Sequence, residues 1–408
     1  MVQGQGTIIL DMGNSGTRVI VKYGKDGNTG RYHERQFTLS NRFSMVSEGF
    51  KPSEDYSEET STVFGIEAVV GGQPLGGVWA NGEVQEREFS VGDIRPSALE
   101  KKYSAKTTAL TFEVAILYAT RAVMQITRVS DFKQVDVTWN VVVLLPPGDL
   151  AEGKSKMIDV ISSVKHVYCS YPDVDFPIKV NKIHVLPEGY CAYMGVIFDR
   201  GSIIRPEYQS LIGETTMVID IGAGTTDIMI IQNKSIIQST MTTIDRGGNQ
   251  VSQLVKKGLK VNYGLKLKEV DINKGIISGT VRDGSKTIDI VDIINSAKDS
   301  VANSIVNDVR DFFEETEFPI RSIGKLLVCG GGSMSSEDDE SGSENIKALS
   351  EAIVSQMKVY SPNIELVGIP TTFVNADMPD GTTKKVEKKI SPRMLNVIGA
   401  SILSEAMI

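Results

Sequence analysis

The sequence predicts an α/β chain built from two related halves, and three observations predict it. A short apolar strand ending in an aspartate, a Gly-rich tip and a threonine occurs at Asp11-Met-Gly-Asn-Ser-Gly-Thr17 and again at Asp220-Ile-Gly-Ala-Gly-Thr-Thr226. Each copy is followed by a second apolar strand, which is the syntax of a hairpin. The length of 408 residues exceeds that of an average single domain, and 41% hydrophobic with 23% charged residues is an ordinary balance for a folded α/β chain.

In chain order, residues 7–10 form the first apolar strand and 18–23 its partner, and 217–219 with 227–231 repeat them. Aligning 10–19 with 219–228 matches Asp11 to Asp220, Gly13 to Gly222 and Thr17 to Thr226, 209 positions apart. That spacing is too long for a solenoid and indicates two duplicated halves facing each other. Residues 41–104 are polar and Gly-rich, as befits a small variable subdomain. Across 105–128, Leu110, Val114, Leu117, Tyr118, Met124 and Ile126 recur at helical spacing around Lys106, Glu113 and Arg121, which predicts a buried interior helix.

The run Val135–Leu145 is strongly β-forming and is stopped by Pro146-Pro147. A helix near 155–164, a strand at 183–186 and a helix opening at Pro187-Glu188 follow. Beyond the second hairpin, Gly247-Gly248 precedes an amphipathic helix at 249–259, and the polar stretch to about residue 285 makes a second small subdomain. A long helix spans Val291–Glu315, and the strand Lys325–Cys329 enters Gly330-Gly-Gly-Ser333. Residues 335–345 are acidic and low in complexity and read as a mobile surface loop. The chain closes on a helix at 392–406 with Gly399 at a close-packing position.

Composition excludes some functions. A net charge of −8 argues against a generally basic nucleic-acid surface. Cys169, Cys191 and Cys329 are odd in number, widely spaced and set in apolar neighbourhoods, so they read as buried small residues in a reducing compartment. No basic leader opens the sequence, and no run of about 18 uncharged apolar residues occurs. A soluble cytoplasmic chain is the expectation.

The chemistry is concentrated in the hairpins. A phosphate chain needs backbone N–H donors at close range, and glycine lets the main chain approach without Cβ obstruction. Gly13 and Gly16 offer this on one side and Gly222 and Gly224 on the other, with hydroxyls on Ser15, Thr17, Thr225 and Thr226. Asp11 and Asp220, each at the end of an apolar strand, are suited to hold hydrated Mg²⁺, which prefers oxygen ligands and keeps several waters. Either hairpin alone reads as a tight turn with a solvated aspartate; the repetition argues for a shared purpose.

One rival signal exists. Gly148-Asp-Leu-Ala-Glu-Gly-Lys154-Ser155 matches the Gly-rich phosphate-loop pattern and follows a strand. Asp149 and Glu152 would bring two negative charges to a triphosphate, and Pro146-Pro147 breaks the strand-to-loop transition. The match reads as chance, with Lys154 a solvated helix residue.

Taken together, five segments in order resemble the actin, sugar kinase and heat-shock chaperone ATPase superfamily. Asp11 to Thr17 resembles its first phosphate motif and Asp220 to Thr226 its second. Val185-Leu-Pro-Glu188, with 189–194 behind it, resembles the first connecting motif, Leu326-Leu-Val-Cys-Gly-Gly-Gly-Ser333 the adenosine motif, and Asn396-Val-Ile-Gly-Ala-Ser-Ile-Leu403 the second connecting helix. The resemblance implies a duplicated, two-lobed, ribonuclease H-like α/β fold with a nucleotide cleft between lobes. Lobe I would cover 1–200 with a small subdomain at about 38–104, lobe II 201–390 with one at about 250–288, and 391–408 would return to lobe I.

It also implies roles. Asp11, Gly13, Asn14, Ser15, Gly16, Thr17, Gly222, Ala223, Gly224, Thr225, Thr226, Gly247, Gly330, Gly331, Gly332 and Ser333 would contact ATP or GTP, Asp11 and Asp220 would hold Mg²⁺, and Glu188 with Asp220 would serve hydrolysis. Glu188 stands where the family orients the attacking water; its plainer role is to stabilise a helix N-terminus. Within the superfamily, about ten residues after Gly399 leave no room for a chaperone's peptide-binding domain, and no sugar pocket is recognisable. Length, the Leu-Pro-Pro strand ending and the Pro-Glu-Gly connection are most similar to ParM-type bacterial actins. That implies nucleotide-dependent filaments, plasmid segregation, and a DNA-binding adaptor at the plasmid centromere, without direct nucleic-acid or membrane contact. The alternative is a non-polymerising small-molecule kinase of the same fold.

Overall fold

In the computed structural model, β1 (Val2–Gly13) pairs antiparallel with β2 (Gly16–Lys25), and β2 with β3 (Tyr32–Leu39). The structure describes residues 1–13, 16–27, 30–41, 43–46, 61–64, 69–70, 73–74, 78–82, 90–94, 101–103, 106–170, 173–333, 345–377 and 383–407. On its other edge β1 pairs in parallel with β4 (Val135–Leu145), and β4 in parallel with a later strand, Lys179–Pro187. The expected strand at 7–10 is thus longer than its apolar run. Its polar start, Gln3 to Gln5, is carried by pairing with Asp136 to Thr138 rather than by burial.

Two compact units make up the chain: Met1–Pro187 with Ala400–Ile408, and Glu188–Gly399. In the first, α1 (Lys106–Thr127) packs on the five-stranded sheet with Leu110, Val114 and Leu117 fully buried, each such side chain contributing roughly 1.5–3 kcal/mol of transfer free energy. By length and composition Thr107–Thr127 is apolar enough to cross a membrane, but 78% of its most apolar window is buried against protein. Next comes α2 (Leu150–Ser163), which starts five residues earlier than its apolar pattern predicts, because Pro147–Asp149 forms a 3₁₀ turn leading straight into it. Short strands at Phe43–Val46, Ser61–Phe64, Val78–Gly82 and Ser90–Ile94 form a separate small sheet between β3 and α1.

In the second unit, β5 (Thr216–Ile221) pairs antiparallel with β6 (Thr226–Gln232) and in parallel with β7 (Lys325–Cys329). Ser235–Ile236 extends the sheet beyond β6, and Glu365–Leu366, which follows α7 (Leu349–Met357), extends it beyond β7. The order antiparallel, antiparallel, parallel, parallel therefore recurs, centred on β1 in one unit and on β5 in the other. In between run α4 (Asn249–Tyr263), α5 (Glu269–Ser278), the hairpin Thr280–Asp283 with Lys286–Asp289, and α6 (Val291–Glu315). Val251, Val255 and Leu259 on α4, and Ile294, Val301, Ile305 and Val309 on α6, are the buried positions of two amphipathic stripes.

Helices α3 (Tyr190–Ile197) and α8 (Leu395–Met407) meet through glycine. A Cβ on Gly399 would lie 1.7 Å from the Cys191 carbonyl oxygen, so the close-packing role expected of Gly399 is an absolute one. Within the first unit, Lys22 on β2 is almost fully buried and donates to Ser401 O at 2.8 Å and to Glu405 Oε1 at 2.7 Å on α8. Losing either acceptor would leave a buried ammonium undercompensated. Cys191 and Cys329 are buried as expected.

Glu113 of α1 faces inward, where its Oε1 accepts from Tyr168 N at 3.1 Å and its Oε2 has no hydrogen-bond partner among the described residues. Burial raises its pKa from 4.5 to about 8, against the opposing effect of the Tyr168 hydrogen bond. The folded state therefore holds a proton that the unfolded chain releases. The stabilising contribution is complete below about 4.5 and is lost as the pH rises to about 8. Glu113→Gln should flatten that decline in urea-unfolding curves measured across this window and should be more stable than the parent above it. A decline of unchanged slope would show that Glu113 is ionised in the fold.

Candidate functional site

The two hairpins share one register. Met12 pairs with Thr17 and Asp11 with Arg18; Ile221 pairs with Thr226 and Asp220 with Asp227. The alignment read from the sequence is therefore also the alignment of the pleat, because a slip by one residue would turn every side chain to the opposite face. Both Asp11 and Asp220 are 5% exposed. Across the pair they differ: Asp11 opposes a cation, Asp220 a second carboxylate.

At the first tip, Gly13 pairs with Gly16, and the intervening Asn14 and Ser15 lie outside the described residues. Arg18 Nη1 donates to Gly16 O at 3.1 Å. Thr17 is fully buried and donates through its hydroxyl to Asn41 Oδ1 at 2.5 Å, while Asn41 Nδ2 donates to Gly13 O. Thr17 thus braces the hairpin from beneath, together with Asn41, which sequence reasoning passed over.

At the second tip the loop 222–225 is closed by Gly222 N donating to Thr225 O at 2.8 Å. Gly222 O accepts from Gly248 N at 2.9 Å and Ala223 O from Asn249 N at 2.8 Å, so the loop rests on the first turn of α4. Thr226, the counterpart of Thr17, donates to Arg246 O at 2.7 Å. The N–H groups of Gly224 and Thr225 make no hydrogen bond to the described residues and sit in a half-buried loop, the arrangement a phosphate cradle requires.

The turn after β7 closes against the same tip. Gly330 has φ +85°, and a Cβ there would lie 2.2 Å from Asp220 Oδ1 and 2.4 Å from Ile221 O. A Cβ on Gly332 would lie 2.7 Å from Gly222 O, and one on Gly247 2.6 Å from Ala223 O. Ser333 Oγ donates back to Gly330 O at 2.7 Å, and Gly331 lies beside Arg393. The second unit therefore brings Gly222 to Thr226, Gly247 and Gly330 to Ser333 together at the end of β5, with Gly330 against the Asp220 carboxylate. Most of the acidic segment expected as a surface loop, 334–344, lies outside the described residues.

Glu188 is 6% exposed, in the turn before α3. Two residues near Asp220 had no assigned role in the sequence. Asn396, 5% exposed on the first turn of α8, accepts from Gly189 N at 2.9 Å and donates through Nδ2 to Asp220 Oδ2. Asp227, opposite Asp220, accepts from Thr243 Oγ1 at 2.5 Å. A signal for each was present: Asp227 closes the Asp220-to-Thr226 pattern, and Asn396 opens the last motif.

The rival phosphate-loop match takes another form. Gly148 and Asp149 are in the 3₁₀ turn and 150–155 are already α-helical, so no loop surrounds an anion there. Gly153 is small because Tyr103 covers it, a Cβ falling 2.3 Å from the ring; Asp149 pairs with Lys101, and Lys154 is exposed. A cavity of about 1080 Å³ lined by Arg35, Phe37, Tyr118, Arg121, Arg128 and Phe132 shares no residue with either tip.

No cluster of three or more His, Cys, Asp or Glu side chains is poised for a metal among the described residues. A fully protein-ligated ion is not what Mg²⁺ needs, since it is commonly held by one or two carboxylates plus phosphate and water. A single buried carboxylate, Asp220, at the end of β5 beside the loop 222–225 fits that donor set.

Solved structures align with this chain over nearly its whole length. Alp7A, an actin-like protein, aligns at TM-score 0.64 and 15% identity over 100% of this chain and 97% of its own. Ta0583, an archaeal actin homolog also solved in complex with ADP, aligns at 0.62 and 13% over 99% and 100%. The chain has the actin-like fold. A ParM from Clostridium botulinum, solved as a 15-stranded filament, aligns with this actin-like chain at 0.60 and 16% over 99% and 100%. The family model of the archaeal actin homologue MreB-like C-terminal region matches residues 218–339, which contain all but the first two residues of the second hairpin, and the Gly330 turn. No curated protein matches the actin-like chain.

Gly330→Ala should destabilise the actin-like chain by about 2 kcal/mol or more, combining a left-handed backbone with a clash against fixed atoms. Gly331→Ala, whose Cβ meets only the Arg393 side chain at 3.1 Å, should cost under about 1 kcal/mol in the same urea titration. Equal losses would show that the turn yields and that Asp220 is not held by it.

Proposed function

We propose that this chain is a filament-forming nucleotidase that binds ATP or GTP with Mg²⁺, assembles in the nucleotide-bound state and hydrolyses the nucleotide to weaken subunit contacts. The observation that carries the reading is the repeated hairpin: two tips in one register, each with a buried aspartate at the same position, the second walled by glycine turns. Glycine in such a turn lets backbone N–H groups approach a phosphate, and in this reading the N–H groups of Gly224 and Thr225 do so.

In this reading Asp11 and Asp220 hold the hydrated Mg²⁺, which when bound neutralises charge on the phosphate oxygens. Gly13, Asn14, Ser15 and Gly16 contribute from the first hairpin, and Gly247 with Gly330 to Ser333 flank the nucleoside. Glu188 orients the attacking water and accepts its proton, as a buried carboxylate near the phosphates can do. The wider role is plasmid DNA segregation through a DNA-binding adaptor, supported by the likeness to ParM and by a net charge of −8 that disfavours direct DNA contact.

Sedimentation with Mg·ATP or Mg·GTP and phosphate release, followed together, test this. Wild type should pellet with nucleotide and disassemble as phosphate appears. Glu188→Ala should bind nucleotide, slow release by about 10²-fold and leave filaments that persist. Asp220→Ala should lose most Mg²⁺-dependent affinity, whereas Lys154→Ala should behave as wild type. Nucleotide binding without assembly at any protein concentration would favour the non-polymerising kinase.

A further inference from the structure

We infer that Asn396 is the positioning residue that sets Glu188 and Asp220 relative to one another, an inference that rests on the nucleotidase reading. Its side chain touches both the turn carrying Glu188 and the carboxylate of Asp220. Oδ1 accepts the N–H of Gly189, the residue directly after Glu188, at 2.9 Å, and Nδ2 donates to Asp220 Oδ2.

An amide is suited to this place because one end accepts and the other donates. An ionised Asp would keep the acceptor for Gly189 but set a second negative charge against Asp220. An apolar residue would leave a buried N–H and one lone pair of the carboxylate without a partner, at a cost in both positions. The other oxygen of Asp220 is hemmed in by Gly330, whose absent Cβ would lie 2.2 Å from Oδ1. Asp220 is thus fixed on one side by the glycine turn after β7 and on the other by the amide of α8.

Both contacts of Asn396 are remote in sequence, 207 residues to Gly189 and 176 to Asp220. Its own position is secured by the first turn of α8, which crosses α3 at Gly195 with a Cβ-to-Leu395 O clearance of only 2.8 Å. α3 begins directly after the Glu188–Gly189 turn, so the crossing and the amide act on one segment. A shift of α8 along α3 would therefore be felt at the Glu188 turn and at Asp220 together, because the amide bonds both.

The test uses the full chain with Mg·ATP and compares phosphate release at saturation with affinity for a non-hydrolysable ATP analogue. Asn396→Ala should lower the turnover rate by about 10–100-fold while changing analogue affinity far less. Asn396→Asp, which preserves volume, should show the same split and serves where the alanine variant does not fold. The deciding arm is the pair with Glu188→Ala: if Asn396 acts by placing Glu188, replacing Asn396 in that background should cost little further turnover. Losses that multiply, or a loss of affinity equal to the loss of turnover, would overturn the positioning role and leave a structural one. Wild-type chain that binds nucleotide but releases no phosphate would instead overturn the nucleotidase reading, and this inference with it.

Discussion

Main chain packed against main chain is the constraint on which the candidate site depends. The carbonyls of Gly222 and Ala223 accept from the N–H groups of Gly248 and Asn249, and Gly330 and Gly332 pass so close to β5 that a methyl on either would meet backbone atoms. Side chains can rotate away from a clash; backbone held in a sheet cannot. The tip of the second hairpin is consequently fixed by two segments distant in sequence, and the N–H groups of Gly224 and Thr225, which make no hydrogen bond to the described residues, are held in place with it. Preorganised donors of this kind are effective because no reorganisation has to accompany binding.

The duplication is strict in topology and loose in chemistry. Both sheets place the hairpin strand between an antiparallel and a parallel neighbour, and both put a threonine under the tip with its hydroxyl turned to a local acceptor, Asn41 Oδ1 or Arg246 O. Opposite the aspartate the copies part: Arg18 in one, Asp227 in the other. Directly opposed like charges are unfavourable in a ladder, and here the second carboxylate is partly offset by the Thr243 hydroxyl. The first hairpin sets a cation opposite its aspartate, whereas the second sets two carboxylates opposite one another.

Long, strongly patterned elements were legible in the sequence. Val135–Leu145, Val291–Glu315 and Lys325–Cys329 have the bounds their patterns predict, since a β-branched run stopped by Pro-Pro and a heptad-like stripe leave little choice of period. The hairpin His166–Ser170 with Asp173–Pro177, and α5, were not legible, being short, polar and defined by the surfaces they pack on. Within the site, Asp220 and the glycines announced themselves by local pattern. Asn396 showed only as the first residue of the last motif, since its two contacts, 207 and 176 residues away, lie in no local window.

Glycine shows how far a motif can be read without its partners. Gly153, Gly330 and Gly399 each stand in a segment that resembles a functional signature, and in each a Cβ is excluded, but by different neighbours. At Gly153 the neighbour is the Tyr103 ring, at Gly399 the carbonyl of a crossing helix, and at Gly330 the carboxylate of Asp220. Only the last encloses a group able to hold a cation beside phosphate. A pattern such as G-x-x-x-x-G-K-S specifies where Cβ is missing and says nothing of what fills the space. In this chain the literal match lies within a helix and under an aromatic ring, whereas the looser repeat of Asp, Gly and Thr lies where backbone, carboxylate and amide converge.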